Sequence, residues 1–307
     1  MRISTNTIYQ AGISKINTLQ TDQAKLQQQI STGRRISSPS EDPVASARIL
    51  EISTAQAANT KFADTRQTAQ LKLNTVESNL SSVTSLLVAA QSTLVSAGNG
   101  TYTDKERGFI ATELSGSLDA LIGLANTKDA SGNYLYAGFQ TDTMPFVTTG
   151  TGTTSVVNYT GDSNQQLLQV DTQRQIAVNV SGDNVFQGGG NDIFTTMRNL
   201  VTLLNTPMNT TTQAAFTTQL TTAMGQMQTS VDNVLNVRAS VGSKLNELGA
   251  LETAGSDRGL QYSKSLSELQ DLDYASALSD LTKNQTIMEA AQKSFVAVTG
   301  LSLFKFI

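Results

Sequence analysis

The feature that most constrains this chain is a pair of narrow apolar seams, one near each end. Near the N-terminus Ile16, Leu19, Gln23, Leu26 and Ile30 step by threes and fours. Near the C-terminus Leu281, Met288 and Phe295 step by sevens, with Ala291 and Val298 in the same series. Each seam lies on an otherwise polar helix, which suits a coiled coil rather than a globular core. Neither helix can bury its own seam. The ends therefore pack onto this chain's own bundle, or pair and then pack against other subunits. Seams this narrow offset little ordering entropy, so folding that depends on assembly is the favoured reading.

Composition narrows the chemistry. The 307 residues contain no His, Cys or Trp, which excludes histidine general-base catalysis, thiol chemistry, disulfides and the usual zinc and copper ligand sets. No cofactor or metal is expected. Aromatics make up 6% and apolar residues 38%, which fits long thin helices better than one large core. The net charge of −4 argues against nucleic acid as a partner. It is unevenly placed: residues 1–66 carry eight basic and five acidic residues, residues 247–307 five basic and eight acidic. The two ends would attract modestly, and salt would screen the attraction. The N-terminus lacks the apolar core of a secretory signal peptide. The longest apolar run, Leu86 to Ala90, is too short to span a bilayer, so no membrane insertion is expected.

The four prolines divide the chain. Pro39 and Pro43 close the N-terminal arm, and none follows until Pro145, so two long helices fit between. Asp42-Pro43 reads as an N-cap and first helical residue. A heptad then runs through Phe62, Ala69, Leu73, Val76, Leu80, Val83, Leu87, Ala90 and Leu94 to a stop at Gly98-Asn99-Gly100. At 1.5 Å per residue this helix is roughly 80 Å long. Thr103 and Glu106 make a capping box for a second helix with Ile110, Leu114, Leu118 and Leu121.

Residues 130–190 hold nine of the 22 glycines and a single basic residue, Arg174. Short alternating segments at 133–136, 156–159, 167–170 and 176–180 read as strands of a small β insertion. Helix resumes at Asn191-Asp192 with Met197, Leu200 and Leu204. After Pro207, Thr210 and Gln213 suggest another capping box. The longest heptad follows: Leu220, Met224, Met227, Val231, Val234, Arg238, Val241, Leu245 and Leu248. A further segment from about Leu260 carries the C-terminal seam.

The expected fold is mainly α with a small β insertion. It is an elongated antiparallel helical bundle with the terminal arms paired at one end and the β domain near the other. The expected parts are an N-terminal arm (1–40), two bundle halves (41–129 and 191–260), the β-rich insertion (130–190) and a C-terminal arm (261–307).

Other motifs carry less. Glu268, Asp271 and Asp273 cluster, but on a thin helix a solvated face explains them. Gly188-Gly189-Gly190 precedes a helix without the Lys-Ser/Thr of a phosphate loop. Arg34-Arg35 with Lys25 could hold an anion or form a solvated turn. Arg238, in a seam position, either snorkels at the bundle edge or sets register through an ion pair. Asp142, Asp162, Asp171 and Asp183 support a distant alternative, a carboxylate hydrolase in the β insertion. That needs two acids about 5–10 Å apart in a cleft.

Several stretches, taken in order, carry a resemblance: Met1-Arg2-Ile3-Ser4-Thr5, Ile30-Ser31-Thr32-Gly33-Arg34-Arg35-Ile36, Ser38-Pro39-Ser40-Glu41-Asp42-Pro43, Tyr134-Leu135-Tyr136-Ala137-Gly138 with Pro145-Phe146, Asp271-Leu272-Asp273-Tyr274-Ala275, and Leu301-Ser302-Leu303-Phe304. Together they resemble the flagellin superfamily of bacterial flagellar axial proteins. Pro39 and Pro43, where flagellins usually continue Ala-rich, and the Tyr-Leu-Tyr-Ala-Gly stretch resemble its hook–filament junction branch more than its filament subunits. A small flagellin is the alternative.

The resemblance implies a structural protein without catalytic residues, exported unfolded through the flagellar type III channel to the cell exterior. Its assembly residues would be Ile16, Leu19, Leu26, Ile30, Leu281, Met288, Phe295, Val298, Leu301, Leu303 and Phe304. It also implies ring-forming like subunits, a neighbouring hook-associated protein, flagellin, and a cytosolic chaperone on the C-terminal arm as partners.

Overall fold

In the computed structural model of the chain, residues 5–98, 102–150, 155–209 and 212–303 are described, apart from the side chains of residues 5, 6, 8 and 298–303. The order is α1 (Thr5–Thr32), α2 (Pro43–Ala97), α3 (Asp104–Ala125), β1 (Phe146–Thr149), β2 (Val156–Tyr159), β3 (Leu167–Asp171), β4 (Arg174–Ala177), α4 (Gly182–Phe186), α5 (Ile193–Asn205), α6 (Gln213–Gln270) and α7 (Tyr274–Leu303). The fold is mainly α with a small β region, as the seam spacing predicts. Two compact units divide it: Met1–Thr60 with Ser256–Ile307, and Lys61–Gly255.

In the second unit the α2 heptad is the core. Ala69, Leu73, Val76, Leu80, Val83, Leu87, Ala90 and Leu94 are all buried, while Phe62 at its start is half-buried. Helix α2 starts at Pro43, where Asp42 Oδ1 accepts the Ala45 N–H at 3.0 Å. Polar contacts show how the helices run. Asn79 reaches the Leu124 carbonyl and Thr127, and Thr93 reaches Glu113, so α2 and α3 form an antiparallel hairpin. Gln91 meets Gln228, Glu77 meets Arg238 and Arg66 meets Glu252, so α6 runs antiparallel to α2. The Thr103–Glu106 capping box forms as expected, and Asp192 caps α5 by accepting from Phe194 and Thr195.

The α6 seam is wider than a strict heptad. Leu220, Met227, Val231, Val234, Val241 and Leu248 are buried, and so is a neighbouring column at Ala223, Ser230 and Val237. Met224 and Leu245 are only half-buried. A helix packed on more than one neighbour needs this broader face. Thr210 of the expected capping box lies outside the described residues; Thr212 donates its N–H to Asn209 Oδ1 at 3.0 Å in the turn before α6. Helix α6 passes residue 260 without a break, and the chain turns only at 271–273.

The β region departs most from expectation. Residues 133–136 form no strand, only an isolated antiparallel bridge between Tyr134 and Lys128. Tyr136 is fully buried and donates its hydroxyl to Asn79 Oδ1 at 2.7 Å, which docks the segment on α2. The first strand is instead Phe146–Thr149, paired antiparallel with β2, and β3 pairs antiparallel with β4 in a separate two-stranded sheet. Phe146, Phe186, Phe194, Tyr136 and Tyr159 form an aromatic cluster with centroids 5.1–5.6 Å apart, which seats this region on the helices. Gly138 has a φ of +69°, and a Cβ there would lie 2.0 Å from Asp162 Oδ1, so this turn requires glycine.

One further residue corrects the sequence reading. Arg238 does not merely snorkel: its Nε and Nη2 donate to Glu77 Oε1 at 3.0 and 2.6 Å, linking α6 to α2. Helices α2 and α3 each contain a window long and apolar enough to cross a membrane by length and composition. A count of uninterrupted apolar residues misses this because Ser and Thr are interspersed. Part of their apolar surface closes the core described above, while Leu71, Val88, Val95 and Phe109 stay exposed.

Candidate assembly interface

In the first unit α1 and α7 pack against one another. The inward face of α1 repeats at the predicted seam. Leu19 is buried, and Ile16, Gln23, Leu26 and Ile30 are half-buried. On α7, Ala277 is buried, and Leu281, Asn284, Met288, Ala291 and Phe295 are half-buried. The side chains of Val298, Leu301 and Leu303 and all of Phe304 lie outside the described residues. Sequence reasoning omitted Gly12, Ala277 and Asn284. Extending the same steps outward by one position reaches Gly12 and Ala277, and filling the step between Leu281 and Met288 gives Asn284.

At one end of the pair the Phe295 ring rests on Gly12. A Cβ on Gly12 would lie 2.7 and 2.9 Å from two ring carbons, so only glycine leaves the notch open. Tyr9 lies beside the same ring, with centroids 5.1 Å apart and tilted by 43°.

At the other end two turns are stitched together. Gly33 ends α1 with a φ of +68°, a conformation that favours glycine, with the Tyr274 hydroxyl 2.8 Å from where a Cβ would sit. Arg35 N donates to the Gln270 carbonyl at 2.7 Å, and Leu272 N donates to the Gly33 carbonyl at 3.0 Å. The Arg35 guanidinium donates to the Leu269 carbonyl at 3.0 Å and lies 3.6 Å from Asp42. Arg35 is thus engaged in the turn, and the anion-site reading of the arginine pair gives way to a structural one. The acidic cluster resolves similarly. Asp271 accepts from the Ser267 hydroxyl, and Asp273 caps α7 by accepting from Ala275 and Ser276 at 3.0 and 3.2 Å.

The Ser-Pro-rich segment closes the connection to α2. Glu41 accepts the Ser37 N–H at 2.8 Å and lies 3.3 Å from Lys25 Nζ. The Ser37 hydrogen bond holds its carboxyl below the ordinary value, with burial opposing and Lys25 adding to the effect.

Asp162 and Asp183 of the β region also have local partners. Asp162 Oδ1 accepts the N–H groups of Phe139 and Asn164, and Asp183 accepts from Ser163 Oγ at 2.6 Å. Burial acts to raise Asp183, but hydrogen bonds from Ser163, Ser181 and Asn184 outweigh it and its carboxyl stays below the ordinary value. Tyr159 is pushed up to about 12, chiefly by burial, with both carboxylates adding. Among the described residues no group of three or more carboxylates is placed to hold a metal.

Residues 3–141 match the bacterial flagellin N-terminal helical region. Over 99% of its length the chain is 34% identical to flagellar hook-associated protein 3 of Salmonella typhimurium, 99% of which is covered. The chain belongs to the flagellar hook-associated protein 3 family. A flagellin of Listeria monocytogenes is a more distant relative, 20% identical over 95% of this chain and 93% of its own. A flagellar hook-associated protein from Vibrio parahaemolyticus has the same fold, with a TM-score of 0.67 and 23% identity over 75% of this chain and all of that one. Hook-associated protein 3 membership agrees with the resemblance carried by the motifs. Two of those motifs, around Gly33 and around Asp271, meet in the stitched turn. The relatives are structural flagellar proteins, which fits a protein without catalytic function.

Proposed function

We propose that this chain is a structural junction protein of the bacterial flagellum, joining the hook-associated region to the flagellin filament through its terminal arms. The observation that carries the reading is the unfinished α1–α7 pair. Among the described residues only Leu19 and Ala277 of its seam are buried, while Tyr9, Leu278, Ile287 and Val296 remain 42–68% exposed. Apolar residues on both sides of a thin pair support packing against like subunits, arranged as a ring. Ile16, Leu26, Ile30, Leu281, Met288 and Phe295 would form the inner layer of that packing, with Val298, Leu301, Leu303 and Phe304 continuing it.

A neighbouring hook-associated protein on one side and flagellin on the other complete the reading. Export without a cleaved signal peptide, and a cytosolic chaperone that covers the C-terminal arm beforehand, suit arms that fold on assembly. The test is complementation of a strain lacking its own hook-associated protein 3 with a chain ending at residue 294. The account expects export of a stable protein but no filament retained on the hook. Normal filament attachment and swimming would overturn it.

A further inference from the structure

Along the steps of three and four from Gly12 to Ile30 on α1 and from Ala277 to Phe295 on α7, the described positions are apolar or glycine except Gln23 and Asn284; Gln29, half-buried beside that series, donates to the Arg35 carbonyl. The structure anchors the pair at Gly12 against Phe295 and at Gly33 against Tyr274. Counting inward by threes and fours from either anchor gives the same alignment, with Gln23 across from Asn284 and Leu26 across from Leu281. The two amides thus share one layer in the middle of the seam.

We propose that Gln23 and Asn284 are the register-determining pair of the arms. This rests on the reading that the paired arms carry assembly and names what makes their pairing unique. A side-chain amide carries both donors and an acceptor, so two amides in one layer can satisfy each other. A slide of one heptad puts Gln23 across from Ala291 and Asn284 across from Ile30, leaving each half-buried amide against an apolar group. The apolar layers discriminate far less: Leu26 would meet Met288 as readily as Leu281. A single polar layer that selects one alignment at a cost in stability is a known device of coiled coils. The Gly12 notch and the stitched turn favour the same alignment, so the amide pair must be tested apart from them.

The chain contains no cysteine, so introduced pairs report register cleanly. In the full-length protein assembled at hook ends, where the arms are paired, Leu26→Cys with Leu281→Cys reads the observed alignment, and Leu26→Cys with Met288→Cys reads a one-heptad slide. Both are oxidised and mapped as intramolecular disulfides. With the amides intact, the first pair should link and the second should link at background level. Adding Gln23→Leu with Asn284→Leu should raise the slid link at least tenfold, whereas exchanging the amides (Gln23→Asn with Asn284→Gln) should leave it at background.

No rise in the Leu background would overturn the proposal and assign register to the turn and the notch. A rise in the exchanged variant, or absence of the first link with the amides intact, would overturn it as well. None of these outcomes bears on filament attachment by the truncated chain, which decides the junction reading separately.

Discussion

Tyr136→Phe isolates the bond that ties the segment after α3 to the α2 core. The Tyr136 side chain is fully buried and meets the Phe186 ring edge-on, with centroids 5.2 Å apart. Its hydroxyl donates to Asn79 Oδ1 at 2.7 Å, while Asn79 Nδ2 donates to Thr127 Oγ1 at 2.9 Å. Burial, with the negative charge of Glu77, pushes the phenol far above its ordinary value, so it stays a donor at any physiological pH. Phenylalanine keeps the ring and leaves no large cavity. What is lost is one hydrogen bond, and Asn79 Oδ1, in a residue only 8% exposed, loses its donor. Removing one partner of a buried pair costs about 1–3 kcal/mol, and the slight exposure of Asn79 puts the expectation near 1.5 kcal/mol. For a folded unit of this size that is roughly a 3–6 °C fall in Tm. Urea unfolding followed by far-ultraviolet circular dichroism measures it, with the m-value unchanged. A double-mutant cycle with Asn79→Ala should show coupling of about 1 kcal/mol. A cost of ~0.3 kcal/mol or less, or additivity in the cycle, refutes the reasoning.

Two further perturbations test the polar ties. Arg238 and Glu77 are each about a quarter exposed, so their double-mutant cycle should give about 1 kcal/mol at low salt and less at high salt; a salt-independent or zero coupling contradicts the pairing. Glu41 is held below its ordinary value of 4.5, so its contribution is present above that pH and is lost as pH falls through the lowered folded value. Exchange of the Ser37 amide should accelerate on acidification over that window relative to neighbouring amides, and Glu41→Gln should abolish the difference.

The helices were legible because their signals are local and redundant. The Asp42-Pro43 start, the Thr103–Glu106 box and the Asp192 cap each combine a turn residue with a following apolar period, and all three form. The seams of α1 and α7 were legible for the same reason. The β region was not, because alternation in the sequence does not by itself decide strand pairing. Residues 156–159 form a paired strand; 133–136 make only an isolated bridge from Tyr134 to Lys128, and Tyr136 inserts beside α2. β1 begins at Phe146 directly after Pro145, and four residues with no clear polar–apolar alternation carry little local strand signal. Long-range polar ties left no local trace. Arg66, 1% exposed, donates to Glu252 and to the Val170 carbonyl, partners more than a hundred residues away. The stitched turn joins Arg35 to Gln270 in the same way. Its two motifs are conspicuous in the sequence, but only the fold shows that they touch.

The central claim is that the arms carry assembly and complete their burial there. Amide hydrogen exchange on the free chain and on the chain assembled at hook ends tests it most directly. The account predicts fast exchange in 5–32 and 274–303 of the free chain, slow exchange along 69–94 and 220–248, and protection of the two arms rising at least a hundredfold on assembly. Equal protection of the arms in both states would contradict it.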